Sequence, residues 1–267
     1  MIAISEIHRA GRSPASGSPM PSTLVNALAT LGVENRDEWG WDNYKRVIRH
    51  LAKTFGARRM LEIGAGRSPL FGIDELRSLD AELTVNDISA AELAHLAAGY
   101  RQASFDIAGE VAETQIGMID LAFSRMVFEH VEDAHKAWCN VHAMLAPGGV
   151  ALAFVPTLFA VPFVINRLLP DNLGERIAHL LDRTRTEEEQ PVFPARYNWC
   201  FTFDAPMRRR LGEIGFVEVL IVPFYGHRYY QRFPVIRDIH RGFTASARTL
   251  DLRLLSTYAY IVVRKKR

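Results

Sequence analysis

Glu62, Gly64 and Gly66 fall in the run Met60-Leu-Glu-Ile-Gly-Ala-Gly-Arg-Ser-Pro69, a spacing that can bring bare backbone up to a ligand. Glycines let the main chain approach a nucleotide-like group closely. A carboxylate two residues before the first glycine would repel a pyrophosphate, so Glu62 suits a cationic or hydroxyl-rich ligand instead. Asp87 and Asp106 each follow a short run that reads as a strand. A carboxylate accepts two hydrogen bonds from a diol, which suits an acid at such a strand end. Both aspartates also read as helix-capping or loop acids. Further on, Glu129 and His130 are adjacent. His130 is either a general base for an acceptor hydroxyl or a structural residue that begins a helix. Glu129 is either a wall of the site or a solvated first-turn acid.

The elements that must position these groups alternate. Helices are expected at Ser22–Leu31 and Trp41–Lys53, the latter with Trp41, Tyr44, Ile48 and Leu51 on one face. Strands are expected at Arg59–Ile63, Glu82–Asn86, Ala103–Phe105, Met118–Phe123, Val150–Val155, Phe216–Val222 and Ser256–Val263. A helix should start near Leu70, another after the capping box Ser89-Ala-Ala-Glu92, another over Val131–Leu145, and one from Asp204 to Gly215. Ala146-Pro-Gly-Gly149 reads as a turn before strand five. This alternation predicts a Rossmann-like, doubly wound α/β fold with a parallel sheet and helices on both faces. Two interruptions, about 157–200 and 223–254, break the pattern. Residues 1–58 form an arm, rich in Gly, Ser and Pro over 11–21, followed by helices that would cover the ligand site.

At 267 residues, with 48% hydrophobic and 23% charged, the chain reads as one large soluble globular domain with insertions. A balance of 32 basic against 30 acidic residues predicts no nucleic-acid partner. Cys139 and Cys200 lack metal-type spacing and read as reduced thiols in a cytoplasmic protein. Residues 1–10 carry Glu6, His8 and Arg9 in place of a secretory apolar core. The uncharged stretch 150–165 is shorter than the ~20 residues of a membrane span and holds Pro156 and Pro162. Peripheral membrane contact through 157–170 is the expectation there.

Taken together, these motifs over roughly 59–222, plus the last strand, resemble the class I S-adenosylmethionine (SAM)-dependent methyltransferases. The resemblance implies a seven-stranded sheet, mostly parallel, with strand seven antiparallel. It implies that Glu62, Gly64, Ala65, Gly66 and Ser68 cradle the methionine part of SAM, although Ser68 replaces the usual third glycine. Asp87 would take both ribose hydroxyls, with its neighbours Asn86 and Ile88 also binding the cofactor, Asp106 would meet the adenine amino group, Ile107 the ring, and Ser124 and Arg125 the aminoacyl end. Glu129-His130-Val131 is similar to the "EHV" of many small-molecule members, which points to a small-molecule acceptor and to Glu129 and His130 as catalytic. The extra metal-holding glutamate of ubiquinone-pathway O-methyltransferases is Met126 here, so no metal is expected. Arg196, Tyr197, Trp199, Tyr225 and His227 lie where this fold usually places acceptor contacts, or pack the inserts. Trp39, Trp41 and Tyr44 cover the cofactor or simply pack; Arg208-Arg209-Arg210 reads as a solvated helix face.

A nicotinamide dehydrogenase is disfavoured because Pro69 stands where its fingerprint needs glycine for close helix packing. A nucleic-acid methyltransferase would need an Asn/Asp-Pro-Pro-aromatic run after strand four, where this chain has Ser124-Arg-Met-Val. The expected activity is O-methylation of a small molecule, on a glycan or lipid-linked intermediate if the apolar first insert and arginine-rich second insert serve the acceptor. N- or C-methylation and a non-catalytic SAM-binding module are the alternatives.

Overall fold

The computed structural model describes residues 23–157, 195–226, 242 and 244–267. The arm over 11–21, the insert 158–194 with its expected membrane contact, and His227 lie outside these residues. Seven strands form one sheet: β1 Arg59–Ile63, β2 Glu82–Asp87, β3 Arg101–Ser104, β4 Ile119–Arg125, β5 Leu145–Pro156, β6 Phe216–Phe224 and β7 Tyr258–Lys265. Their order is β3-β2-β1-β4-β5-β7-β6. All neighbours are parallel except β7, which runs antiparallel between β5 and β6. The expected fold is therefore the one observed.

The reversal of strand order, between β1 and β4, opens a crevice at the carboxyl ends of these strands, where this architecture binds ligands. Gly64, Asp87 and Arg125 all sit on that edge, because β1, β2 and β4 end there.

Alternation along the strands divides the core into two layers. Met60, Leu83, Val85, Leu121, Phe123 and Phe154 face the amino-terminal helices α1 (Thr23–Ala29) and α2 (Asp37–Phe55). Leu61, Ile63, Ala122, Ala151 and Ala153 face α5 (Ala134–Met144) and α6 (Asp204–Ile214). The amino-terminal helices thus share one core with the sheet. Tyr44 stacks on Phe154, and Trp41 meets Phe154 and Tyr258 edge-on.

Several local expectations shift. The helix after the glycine loop, α3 (Ile73–Leu79), begins three residues later than expected. The Leu70 N–H is spent on Glu62 instead, and Glu75 accepts from the Gly72 N–H to start the helix there. Glu75 also pairs with Lys45 and Arg49, both at 2.5 Å, tying α3 to α2. β3 starts two residues earlier than expected. The turn at 146–149 is an irregularity within β5: Ile119 pairs with Leu145 but Leu121 pairs with Val150. α5 starts at Ala134 because Asp133 caps it, accepting from the Lys136 N–H at 2.9 Å. The helix after Ser89, α4 (Ala90–Leu93), is a single turn. Among the described residues no helix is long and apolar enough to cross a membrane.

Candidate active site

The loop leaving β1 has two left-handed residues, Gly64 (φ 68°) and Gly66 (φ 54°). L-residues visit this region at a cost of about 1–2 kcal/mol, so the turn depends on glycine. At Gly64 space matters as well, since a Cβ would lie 2.5 Å from Val127 Cγ2. The loop is tied down by Ala65 N–H to the Asn86 carbonyl and Ser68 N–H to the Ala65 carbonyl, both 3.1 Å. The Arg67 guanidinium grips Glu92 of α4 at 2.7 and 2.8 Å.

Asp87 closes this cradle. Its Oδ2 accepts from the Gly66 N–H and its Oδ1 from the Ser89 N–H, each at 2.9 Å. A carboxylate oxygen can accept twice, so one lone pair per oxygen is left, side by side. That arrangement matches the two hydroxyls of a ribose. Ile88, next along, is 59% exposed and offers an apolar surface at the same edge.

Glu62 is buried beneath the loop, its Oε2 accepting from the Leu70 N–H at 2.8 Å. Burial raises its carboxyl to about 7, and the Leu70 N–H, Arg125 and Lys45 pull the other way. A buried acid poised at neutrality gains most from a cationic partner. Arg125 is exposed, and its guanidinium lies 5.8 Å from the Tyr44 ring centroid. Ser124, at the end of β4, is 1% exposed, and its hydroxyl finds no partner among the described residues.

Three further residues of the expected cofactor set have partners within the protein. Asn86 donates both amide hydrogens to the Ala103 and Phe105 carbonyls at 2.9 Å, so its side chain braces β2 against the chain leaving β3. Asp106 is exposed past the end of β3, and its Oδ1 accepts from the Ala108 N–H at 2.9 Å. Ile107 is turned into the core, and Asn140 of α5 holds its carbonyl at 2.7 Å.

Beyond β4 the backbone makes a costly move. Met126 is left-handed (φ 58°), with its N–H on the Phe154 carbonyl at 2.8 Å. This bend drops Val127 onto Gly64 and leads into the 3-10 turn Phe128–His130. Glu129 is not the solvated acid that its place in a first turn allows. It is 3% exposed, with Oε2 unpartnered among the described residues and Oε1 3.8 Å from His130 Nε2. Burial raises its carboxyl to about 8. An acid whose folded pKa is raised carries no penalty below its unfolded value, near 4.5. The penalty grows with pH and is complete above about 8. Glu129→Gln, a neutral isostere, should therefore melt with the wild type at pH 5 but several degrees higher at pH 9. Melting curves across that range check this; parallel curves would show that Glu129 is not the buried acid described.

Of the residues expected to meet an acceptor, two reach this edge. The Arg196 and Tyr197 N–H groups both donate to the Glu129 carbonyl, at 2.6 and 3.0 Å, and latch the end of the first interruption over it. Trp199 instead packs at the helices, its ring 5.7 Å from His135 and 5.1 Å from the Arg210 guanidinium. Tyr225 is in the core, with its hydroxyl donating to Asp251 at 3.3 Å, and the structure does not bring it to the site. Burial pushes that hydroxyl well up. No cluster of metal-binding side chains occurs among the described residues. Sequence reasoning missed Val127: nothing in its type shows that it seals the glycine turn.

Known proteins resemble this chain in domain and fold. Residues 61–153 match the model of a methyltransferase domain. A phosphoethanolamine N-methyltransferase 2 from Haemonchus contortus is similar in structure, with a TM-score of 0.51 and 16% identity over 84% of this chain and 53% of that one. The CMeT domain of the citrinin polyketide synthase is similar at a TM-score of 0.52, with 14% identity over 92% of this chain and 58% of that one. The chain thus spans little more than half the length of either. No curated protein matches it in sequence. The sheet order is the one that the class I SAM-dependent methyltransferase fold has, and its glycine-loop half, residues 61–153, is the part that the methyltransferase-domain model matches.

Proposed function

We propose that the protein uses SAM to methylate an oxygen of a small-molecule acceptor. The observation that carries the cofactor assignment is Asp87, whose two oxygens each keep one lone pair free beside the Gly66 turn. Glu62 supports it, because a buried acid at neutrality favours a cationic ligand over a phosphate. When bound, SAM would supply an electrophilic methyl group on a good sulfonium leaving group. The protein's task is then alignment and proton removal. The Gly64–Gly66 turn and Asp87 would hold the donor. Glu62 and Arg125, opposite in charge, would hold the ammonium and carboxylate of its amino-acid end.

His130 fits the base. It stands past the end of β4, 34% exposed in its side chain, and therefore reachable by an acceptor that Glu129 is too buried to meet from solvent. Its proton acceptance is what an oxygen acceptor needs and a sulfonium does not provide. The unpartnered, buried Ser124 hydroxyl at the end of β4 supports a ligand there, since an orphaned buried polar atom costs stability unless a ligand meets it. A glycan or lipid-linked acceptor would draw on the arginine-rich second interruption. Methyl transfer from labelled SAM to a panel of phenols, sugars, amines and 1,3-dicarbonyls tests the reading. Oxygen acceptors should be methylated, with kcat falling about 10²–10⁴-fold in His130→Ala. Transfer only to nitrogen or carbon, or a change under threefold in the variant, would overturn it.

A further inference from the structure

Among the described residues, four of the eight large apolar side chains that solvent reaches lie in two short segments of the chain. Phe203, Leu250, Leu252 and Leu254 are between 39% and 65% exposed. Phe203, Leu252 and Leu254 line one shallow cleft of about 390 Å³, and Leu250 adjoins it in sequence. The two segments are joined beneath the cleft. Thr202 Oγ1 donates to the Arg253 carbonyl at 2.6 Å, and Arg253 lies between Asp251 at 3.3 Å and Asp204 at 3.6 Å. The leucines are therefore held outward by a fixed polar base.

The surrounding charge is basic. Asp204 and Asp251 are balanced by Arg208 and Arg253. Arg210 stands 5.4 Å over Phe201, whose ring is 5.9 Å from Phe203, and the exposed Arg248 precedes Leu250 by two residues. The patch also lies on the ligand edge of the sheet: the Thr202 hydroxyl is 2.9 Å from that of Ser256, just before β7 starts opposite the end of β5.

From this we infer that the Phe203–Leu250–Leu252–Leu254 patch docks the protein on an anionic lipid bilayer. Alternating leucines enter the boundary between headgroups and acyl chains, while the arginines keep their charge at the phosphates. A second copy of the chain fits less well, because four partly exposed side chains fall short of the ~800 Å² per partner that a stable protein interface buries. The inference is independent of the methyl-transfer reading.

Flotation of the full chain with phosphatidylcholine vesicles, with and without phosphatidylglycerol, tests it. The wild type should float with the phosphatidylglycerol vesicles and lose binding as salt rises. Leu252→Asp/Leu254→Asp should lower the bound fraction about tenfold while leaving SAM binding unchanged. Absence of the wild type from both floating fractions would overturn the proposal, as would equal flotation of the double variant. So would sedimentation showing a dimer that the double variant dissociates, which would assign the patch to a second copy.

Discussion

Asp87→Ala is expected to weaken SAM binding by about 10²–10⁴-fold. A hydrogen bond to a charged acceptor contributes about 1.5–3 kcal/mol. Asp87 keeps two such positions, so about 3–6 kcal/mol is lost, and each 1.4 kcal/mol is tenfold. The same change strips the Gly66 and Ser89 N–H groups of their acceptor, loosening the cradle itself. Asp87→Asn keeps one carbonyl oxygen and should fall between the alanine variant and the wild type. Calorimetric titration of the three proteins with SAM checks the order. Equal affinities would mean that Asp87 serves only the turn.

Gly64→Ala should be the more damaging change, because it fails in two ways. The residue holds φ 68°, and its new methyl would meet Val127 Cγ2 at 2.5 Å and Cγ1 at 2.9 Å. Val127 has little freedom to yield, being β-branched and fixed by the left-handed Met126 before it. We expect SAM binding to drop at least about 100-fold and the melting point to fall by about 5–10 °C, which corresponds to ~2–3 kcal/mol at this size. Gly64→Ala/Val127→Ala removes the collision but not the backbone cost. It should recover part of both losses, giving a positive coupling between the two sites. A double variant no better than Gly64→Ala would locate the whole effect in backbone strain.

What could be read in the sequence was what local chemistry dictates. β1 ends where expected because an apolar run meets a glycine, and Asp87 stands at the end of the short run that reads as β2. Burial decided the rest, and burial depends on distant partners. Glu129 reads equally as a wall of the site or a solvated acid until the Arg196 and Tyr197 amides, far along the chain, close over its carbonyl. Tyr225 reads as an acceptor contact until Asp251 takes its hydroxyl. Asn86 sits between Val85 and Asp87 and reads with them as a ligand contact, yet its amide is needed to hold β3 in register. α3 starts later than its sequence suggests for a related reason: Glu62, eight residues before Leu70, takes the Leu70 amide. In each case the residue type was legible and its partner was not.

Methyl transfer by this protein depends on SAM binding at the β1–β2 edge. Isothermal titration of the full wild-type chain with SAM is the most direct test. The geometry predicts saturable binding of one SAM per chain, retained with S-adenosylhomocysteine and lost in Asp87→Ala. No saturable heat with either compound, from protein that melts cooperatively, would contradict it.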